Sequence, residues 1–366
     1  MPTSITRTGG VAVLAAALTL GAAACGDDGG GGGDEAAKGA KIALLLPESK
    51  TTRYEQQDRP NFERRVKELC GDCEVIYGNA EQDPAKQQQQ AEQAITNGAK
   101  AIVISAVDVK SAASIVARAK QSKIPVISYG RLVSDADLDY YVSIDPFKVG
   151  QQQGKALLDA LEGAGKSSPS VAMIHGSPTD SNAAPYKKGA HSVLDPAGVK
   201  VVKEFDTPDW SPDKAQREME QTITSAGKNG FDGVYVANDG MAGGAIAALK
   251  GAGIDPASRF VTGQDAEVAG VQRILTGEQL MTVYQPITKI AETSAELAVP
   301  LAQGKKAPDI AKQSVNNGKE DVPSVLLPTI AITKDNVDFL IKDGFLKPDQ
   351  LCTGKYAKPC ADAGIK

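Results

Sequence analysis

Along most of the chain, short runs of Val, Ile, Leu and Ala alternate with longer stretches in which apolar residues return every third or fourth position. The runs at 42–46, 74–77, 101–105 and 125–129 predict strands, and the periodic stretches at 61–69, 84–97 and 109–121 predict helices between them. A second series opens with a helical stretch at 147–161. It continues with strand-like runs at 170–175, 199–205, 233–237, 260–263 and 280–284, again with helices in between. Strands that are apolar throughout and separated by helices belong to parallel sheets covered on both faces. The pattern therefore predicts an α/β fold of two doubly wound, Rossmann-like units in tandem.

Ahead of the first strand the pattern is of another kind. The apolar run 11–20 follows Arg7 and leads into small residues, the layout of a secretory signal. A membrane span needs about 20 apolar residues, so this run is too short for one. Ala22-Ala-Ala-Cys25 resembles a bacterial lipobox, in which the cysteine becomes the lipidated first residue. The glycine-rich, acidic stretch that follows has too little apolar surface to fold and reads as a flexible tether. The expectation is a lipoprotein signal peptide over 1–24 and a lipidated Cys25 with its tether over 25–40. The product would be an extracytoplasmic protein anchored to the cell membrane.

The other four cysteines fall into two close pairs, Cys70 with Cys73 and Cys352 with Cys360. In an oxidising compartment each pair is a disulfide candidate. Cys70-Gly-Asp-Cys73 follows a helical stretch instead of opening one, which favours a structural bridge over a redox site. The chain has only two histidines, His175 and His191, and neither lies near a cysteine in sequence, so no metal site is expected.

Charge excludes further classes. The 40 basic and 45 acidic residues are mixed along the chain, without the basic stripe of a nucleic-acid binder. Asp135, Asp137 and Asp139 have the alternate spacing of a calcium loop but lack its Gly and distal Glu, and read as a solvated acidic turn. Gly240-Met-Ala-Gly-Gly244 is not a dinucleotide fingerprint, and small residues there suit close helix packing. With no nucleophile elbow, zinc-protease helix or phosphate loop, neither catalytic residues nor a cofactor are expected.

Doubly wound sheets bind ligands beyond the carboxyl ends of their strands. Those ends carry Arg53 and Tyr54, Tyr129-Gly130-Arg131, Asp180 to Asn182, Asp209-Trp210, Asn238-Asp239, Gln264-Asp265 and Tyr284-Gln285. Each Asn or Asp taken alone could be a helix N-cap, but guanidinium groups, amides, carboxylates and flat rings recur at nearly every strand end. Sugars need that mixture, because each hydroxyl both donates and accepts while the C–H faces pack on aromatic rings.

Several words extend the case in order along the chain: Asp135-Ala-Asp-Leu-Asp-Tyr-Tyr-Val-Ser143, Ala237-Asn-Asp-Gly-Met-Ala-Gly-Gly-Ala-Ile246, Gly263-Gln-Asp-Ala266, Met281-Thr-Val-Tyr284, Asn316-Asn-Gly318 and Asp321-Val-Pro-Ser324. From about Lys41 to Phe345 the chain resembles the xylose-binding branch of the ribose- and galactose-type sugar-binding proteins that serve ABC importers. The resemblance implies a type I periplasmic-binding-protein fold with two lobes joined by three hinge crossings. It places 41–144 plus 285–325 in the N-terminal lobe and 145–284 plus 326–366 in the C-terminal lobe. It makes Arg53 and Arg131 sugar-hydroxyl ligands, Trp210 and Tyr54 the sandwiching rings, and Asn182, Asn238, Asp265 and Gln285 further ligands.

The chain departs from that pattern at Gly130, Pro146 and Gln285, where the family has Asp, Asn and Lys. A pocket that loses a negative and a positive partner points to a xylose-like pentose or a related sugar with different hydroxyls. The implied partners are a monosaccharide, an ABC permease with its ATPase subunit, and the membrane through Cys25, with the protein a monomer that binds no nucleic acid. Rival readings are a sugar-sensing coreceptor for a membrane signalling protein and a binder of a non-sugar small molecule. A LacI-type effector domain shares the fold, but this chain has an export signal where a DNA-binding head would stand.

Overall fold

In the computed structural model, Met1 and residues 39–365 are described; the expected signal segment, Cys25 and the glycine-rich run lie outside them. Among the described residues, no helix is long and apolar enough to cross a membrane.

The first lobe is built on β1 (Lys41–Leu46), α1 (Arg59–Leu69), β2 (Glu74–Asn79), α2 (Pro84–Thr96), β3 (Ala99–Ile104), α3 (Ala113–Gln121), β4 (Val126–Tyr129) and β5 (Tyr140–Ile144). Apolar residues fully buried on alternating faces of β1 and β3 pack under helices on both sides, which is why these strands read as continuous apolar runs. The second lobe follows with α4 (Pro146–Gly163), β6 (Ser170–His175), α5 (Ala183–Leu194), β7 (Lys200–Asp206), α6 (Pro212–Ala226), β8 (Gly233–Val236), α7 (Asp239–Gly251), α8 (Val268–Thr276) and β9 (Thr282–Tyr284). The chain then returns through α9 (Ile287–Ala302), β10 (Gln313–Asn316) and β11 (Asp321–Leu327), and ends with β12 (Ile330–Ile332), α10 (Phe339–Lys342), α11 (Pro348–Leu351) and α12 (Ala357–Asp362).

Seven strands form one sheet in the order β10-β11-β5-β4-β3-β1-β2, parallel except for β10. The second lobe holds the parallel set β7-β6-β8 and the antiparallel pair β12-β9. Three crossings follow from this order. β5 leads into α4, β9 leads into α9, which packs on β3 and α1, and β11 leads into β12. Asp145 caps α4 by accepting from the backbone N–H groups of Phe147 and Lys148, and Pro146 takes the first helical position, where no N–H is missed. β11 stays in register with β5 as far as Leu327, so the first sheet reaches two residues past the expected boundary at 325.

The strand expected over 260–263 is not a regular strand. The segment lies between β8 and β9, with Thr262 N–H donating to Val234 O and Leu280 N–H to Val261 O. Val236 N–H, however, donates to the Thr262 hydroxyl at 2.8 Å, so a side chain replaces the backbone carbonyl of a ladder. Phe260 at φ 48° also breaks the extended run. The helix expected from Val109 is regular only from Ala113, after a turn in which Asp108 Oδ1 accepts from the N–H groups of Lys110 and Ser111. In the hairpin β10–β11, exposed Asp321 and Pro323 alternate with buried Val322 and Ser324.

Both expected cysteine pairs are bridged, Cys70 to Cys73 and Cys352 to Cys360. The second ties the C-terminal segment into a small core with Leu340, Phe345 and Leu351.

Candidate ligand-binding site

Between the lobes lies a small cavity lined largely by polar side chains, the usual setting of a small-molecule site. Arg53, Tyr54, Arg131, Asn182, Trp210, Asn238, Asp265 and Gln285 all line it, so the structure brings together the eight residues that the resemblance implies as ligands, while Tyr129, Asp209, Asp239 and Tyr284 of the strand ends do not line it.

On the first-lobe side, a π-helical turn, Tyr54–Asp58, precedes α1 and aims Asp58 back at Arg53. The Asp58 carboxylate accepts from Arg53 Nε at 2.9 Å and from Nη2 at 2.8 Å, and the Tyr129 hydroxyl also donates to it. Burial works against the Arg53 charge, but this carboxylate holds it protonated. Arg53 Nη1 is left to reach the cavity side, 3.2 Å from Gln285 Oε1 and 3.7 Å from Asp265 Oδ1. Burial pushes the Tyr54 phenol up to about 12, so it stays a donor.

Arg131 is held differently. Its Nη1 donates to Ala106 O at 2.8 Å, while Nε is ion-paired with Asp180 Oδ2 at 2.8 Å. The same Asp180 oxygen accepts from Trp210 Nε1 at 3.2 Å, which orients the indole. The Gly130 carbonyl, beside Arg131, accepts from Asn182 Nδ2 and Ser143 Oγ, both at 2.8 Å. It is therefore committed to the protein.

From the second lobe, Asn238 caps α7 through Oδ1, which accepts from Met241 N–H, and also lines the cavity. The cap role weighed for it in the sequence is present, and its place in the lining leaves the ligand role open to it. Gln285 Nε2 donates to Asp265 Oδ1 at 2.9 Å. Burial raises the Asp265 carboxyl above its usual range, and the Arg53 charge opposes it.

Backbone strain concentrates here. Asp209 and Trp210 have φ of 61° and 52°, and Asp265 and Ala266 have 89° and 50°, the left-handed region that ordinary side chains avoid. Such residues persist where the surrounding structure holds them, commonly at ligand sites. Around the cavity the lobes are in direct contact: Thr52 N–H donates to Glu267 Oε1 at 3.0 Å, Leu132 N–H to Ser181 Oγ at 2.8 Å, and Gln82 Nε2 to Asp209 O at 3.2 Å.

Three lining groups escaped the strand-end reading, or were passed over within it. Ser105 ends the β3 apolar run, Tyr186 sits on an α5 face that reads as core, and Gln264 was overshadowed by its neighbour Asp265. Ser105 Oγ and Gln264 Oε1 are buried polar atoms without a hydrogen-bond partner, and both belong to residues lining this one cavity. Leaving each unpaired costs about 1–3 kcal/mol, which a polar ligand in the cavity would offset.

Comparison with known proteins gives this geometry its family. The periplasmic binding protein domain matches residues 42–306. The D-xylose-binding periplasmic protein of Escherichia coli (strain K12) is 38% identical over 320 residues, 86% of this chain and 93% of that protein. A solved ABC transporter solute binding protein from Clostridium phytofermentans, with bound β-D-glucose, has a TM-score of 0.76 at 30% identity, covering 85% of this chain and 99% of that one. A carbohydrate transporter solute binding protein from Chloroflexus aurantiacus, in complex with D-glucose, also has a TM-score of 0.76, at 29% identity, covering 84% and 97%. With its two-lobed type I fold, the chain belongs to the periplasmic binding protein family, as a relative of the D-xylose-binding proteins and not as an enzyme.

Proposed function

We propose that this protein captures a monosaccharide between its lobes and delivers it to an ABC permease, held at the membrane by a lipid on Cys25. The observation that carries the reading is the convergence of unpartnered Ser105 Oγ and Gln264 Oε1 in a cavity that also presents Arg53, Arg131, Trp210 and Tyr54. Sugar hydroxyls would supply the missing donors and acceptors, and the C–H face would pack on the rings. The names of the relatives, binders of D-xylose and glucose, support the same ligand class.

No bond is made or broken. The open protein exposes the cleft, and the sugar favours closure by as much as it binds the closed state better. The lobes, 41–144 with 285–327 and 145–284 with 328–366, rotate about the three crossings. Arg53 reaches the ligand with its charge already balanced by Asp58, so little is lost on desolvation. At Gly130 an added Cβ would meet only Ser105 Oγ, at 3.8 Å, so the cavity has room where the family has a carboxylate. That suits a xylose-like pentose or a related sugar with more bulk at that point. A flexible tether then lets the loaded receptor search for its permease near the membrane.

A thermal-shift screen of pentoses, hexoses and polyols tests the reading. A ligand at a hundredfold excess over its Kd adds about 2.7 kcal/mol of stability. A rise in Tm with one monosaccharide, lost in Trp210→Ala, is expected; no rise with any sugar overturns sugar binding. Mass spectrometry of the cell-derived protein tests the anchor, which fails if Cys25 carries no acyl chain.

A further inference from the structure

Both histidines of the chain meet on the second lobe, outside the ligand cavity. His175, 1% exposed, ends β6; His191 lies on α5; Glu204 lies on β7, the edge strand beside β6. His175 Nε2 is 2.8 Å and His191 Nε2 2.7 Å from the same oxygen, Glu204 Oε1. The imidazoles are stacked with centroids 6.1 Å apart, and the ligand-type atoms of all three residues lie within 4.8 Å of one another. On its other side His191 Nδ1 faces Asp195 Oδ1 at 2.9 Å.

We propose that His175, His191 and Glu204 form a binding site for a divalent transition-metal ion of the Zn²⁺ type. Two imidazoles and one carboxylate are a zinc ligand set, with a fourth position left for water. One ordinary ion pair would need a single imidazole. Here one carboxylate oxygen faces two ring nitrogens, so without a metal both must carry a proton at Nε2. His191, whose Nδ1 faces a second carboxylate, must then be fully charged. A metal ion replaces those protons on the Nε2 atoms. Asp195 keeps the His191 proton on Nδ1 and leaves the Nε2 lone pair for the metal, the outer carboxylate that metal-bound histidines commonly have.

The fit requires a small adjustment. Bonds of about 2.0–2.2 Å in a tetrahedron separate ligand atoms by roughly 3.3 Å, so the nitrogens must draw back from Oε1 by about half an ångström. His191 and Glu204 are only partly buried, with side chains 25% and 30% exposed, and can give that much. Lys187 Nζ stands 3.5 Å from Glu204 Oε1 and already pairs with Asp206 at 3.2 Å, which can retain it when the metal enters. The sequence gives no hint of the site, because the two histidines are 16 residues apart on different elements and the carboxylate comes from a third.

The test is calorimetric titration of ZnCl₂ into the full-length protein, purified without a histidine tag and stripped with a chelator, with MgCl₂ as the control ion. One zinc per chain is expected, with no magnesium binding. Uptake should be lost in His191→Gln and in Glu204→Gln, and Asp195→Asn should weaken it by about 10–100-fold. Circular dichroism of each variant confirms that it is folded. No zinc uptake by the parent protein, or uptake unchanged in folded His191→Gln and Glu204→Gln, overturns the proposal.

Discussion

The indole of Trp210 rests directly on Gly176: a Cβ placed on Gly176 would lie 2.0 Å from the ring's Cη2 atom. The only tryptophan of the chain is thus seated against the residue that follows β6, while Asp180 holds its Nε1. Gly176→Ala should push the ring out of place without touching the polar ligands. We expect sugar affinity to fall by about tenfold, equivalent to about 1.4 kcal/mol, with a change in tryptophan emission. Unchanged affinity by calorimetry would show that the indole position is not needed for binding.

The Arg53–Asp58 pair is almost wholly buried, with side chains 10% and 1% exposed. Asp58→Asn removes one partner and leaves a buried guanidinium with Gln285 and the more distant Asp265. Breaking such a pair costs about 3–5 kcal/mol. Chemical denaturation should show that loss, and Arg53 should also drift in the pocket, so that sugar binding weakens in protein that is still folded. A destabilisation below about 1 kcal/mol would mean that solvent reaches this pair.

Stability should depend on pH through two carboxyls. Burial pushes Asp239 up to about 7, and burial with the nearby Asp239 and Asp265 charges pushes Glu267 up to about 8. A raised carboxyl pKa means the folded state holds a proton that the unfolded state has released. The associated stability is therefore complete below about pH 4, near the unfolded values, and is lost as pH rises through about 7 to 8. Tm measured from pH 5 to pH 9 should fall across this window. Glu267→Gln, which retains an acceptor for Thr52 N–H, should flatten the upper part of the curve, and an unchanged curve in that variant would remove Glu267 from the account.

Gly130 has φ 69°, a conformation that Asp tolerates better than most side chains. Since an added Cβ meets nothing closer than 3.8 Å, Gly130→Asp should fold and place a carboxylate beside Arg131. The ranking of sugars in a thermal-shift panel should then change, by about tenfold or more in relative affinity, because a buried carboxylate rejects ligands that leave it unpaired. The same ranking before and after would place this position outside the ligand's reach.

Much of this was legible in the chain itself. Apolar runs separated by periodic stretches determined the order of strands and helices, because burial on both faces leaves a continuous apolar signature. The strand ends determined which polar residues could meet a ligand: Arg53, Arg131, Trp210, Asn238, Asp265 and Gln285 reach one cavity because parallel strands all end on the same side. The run 260–263 misled because a Thr hydroxyl in place of a carbonyl leaves no trace in the hydropathy pattern.

Tertiary structure alone decided the pairings. Gly176 under Trp210 and His175 with His191 around Glu204 join residues from different segments, with no spacing to announce them, and Asp58 meets Arg53 only because a π-helical turn carries it back. Which polar atoms remain unpartnered was likewise decided only by the fold. Local propensity sets where each side chain lies along its own element, but whether Ser105 Oγ or Gln264 Oε1 finds a partner depends on every other segment that reaches the same point in space.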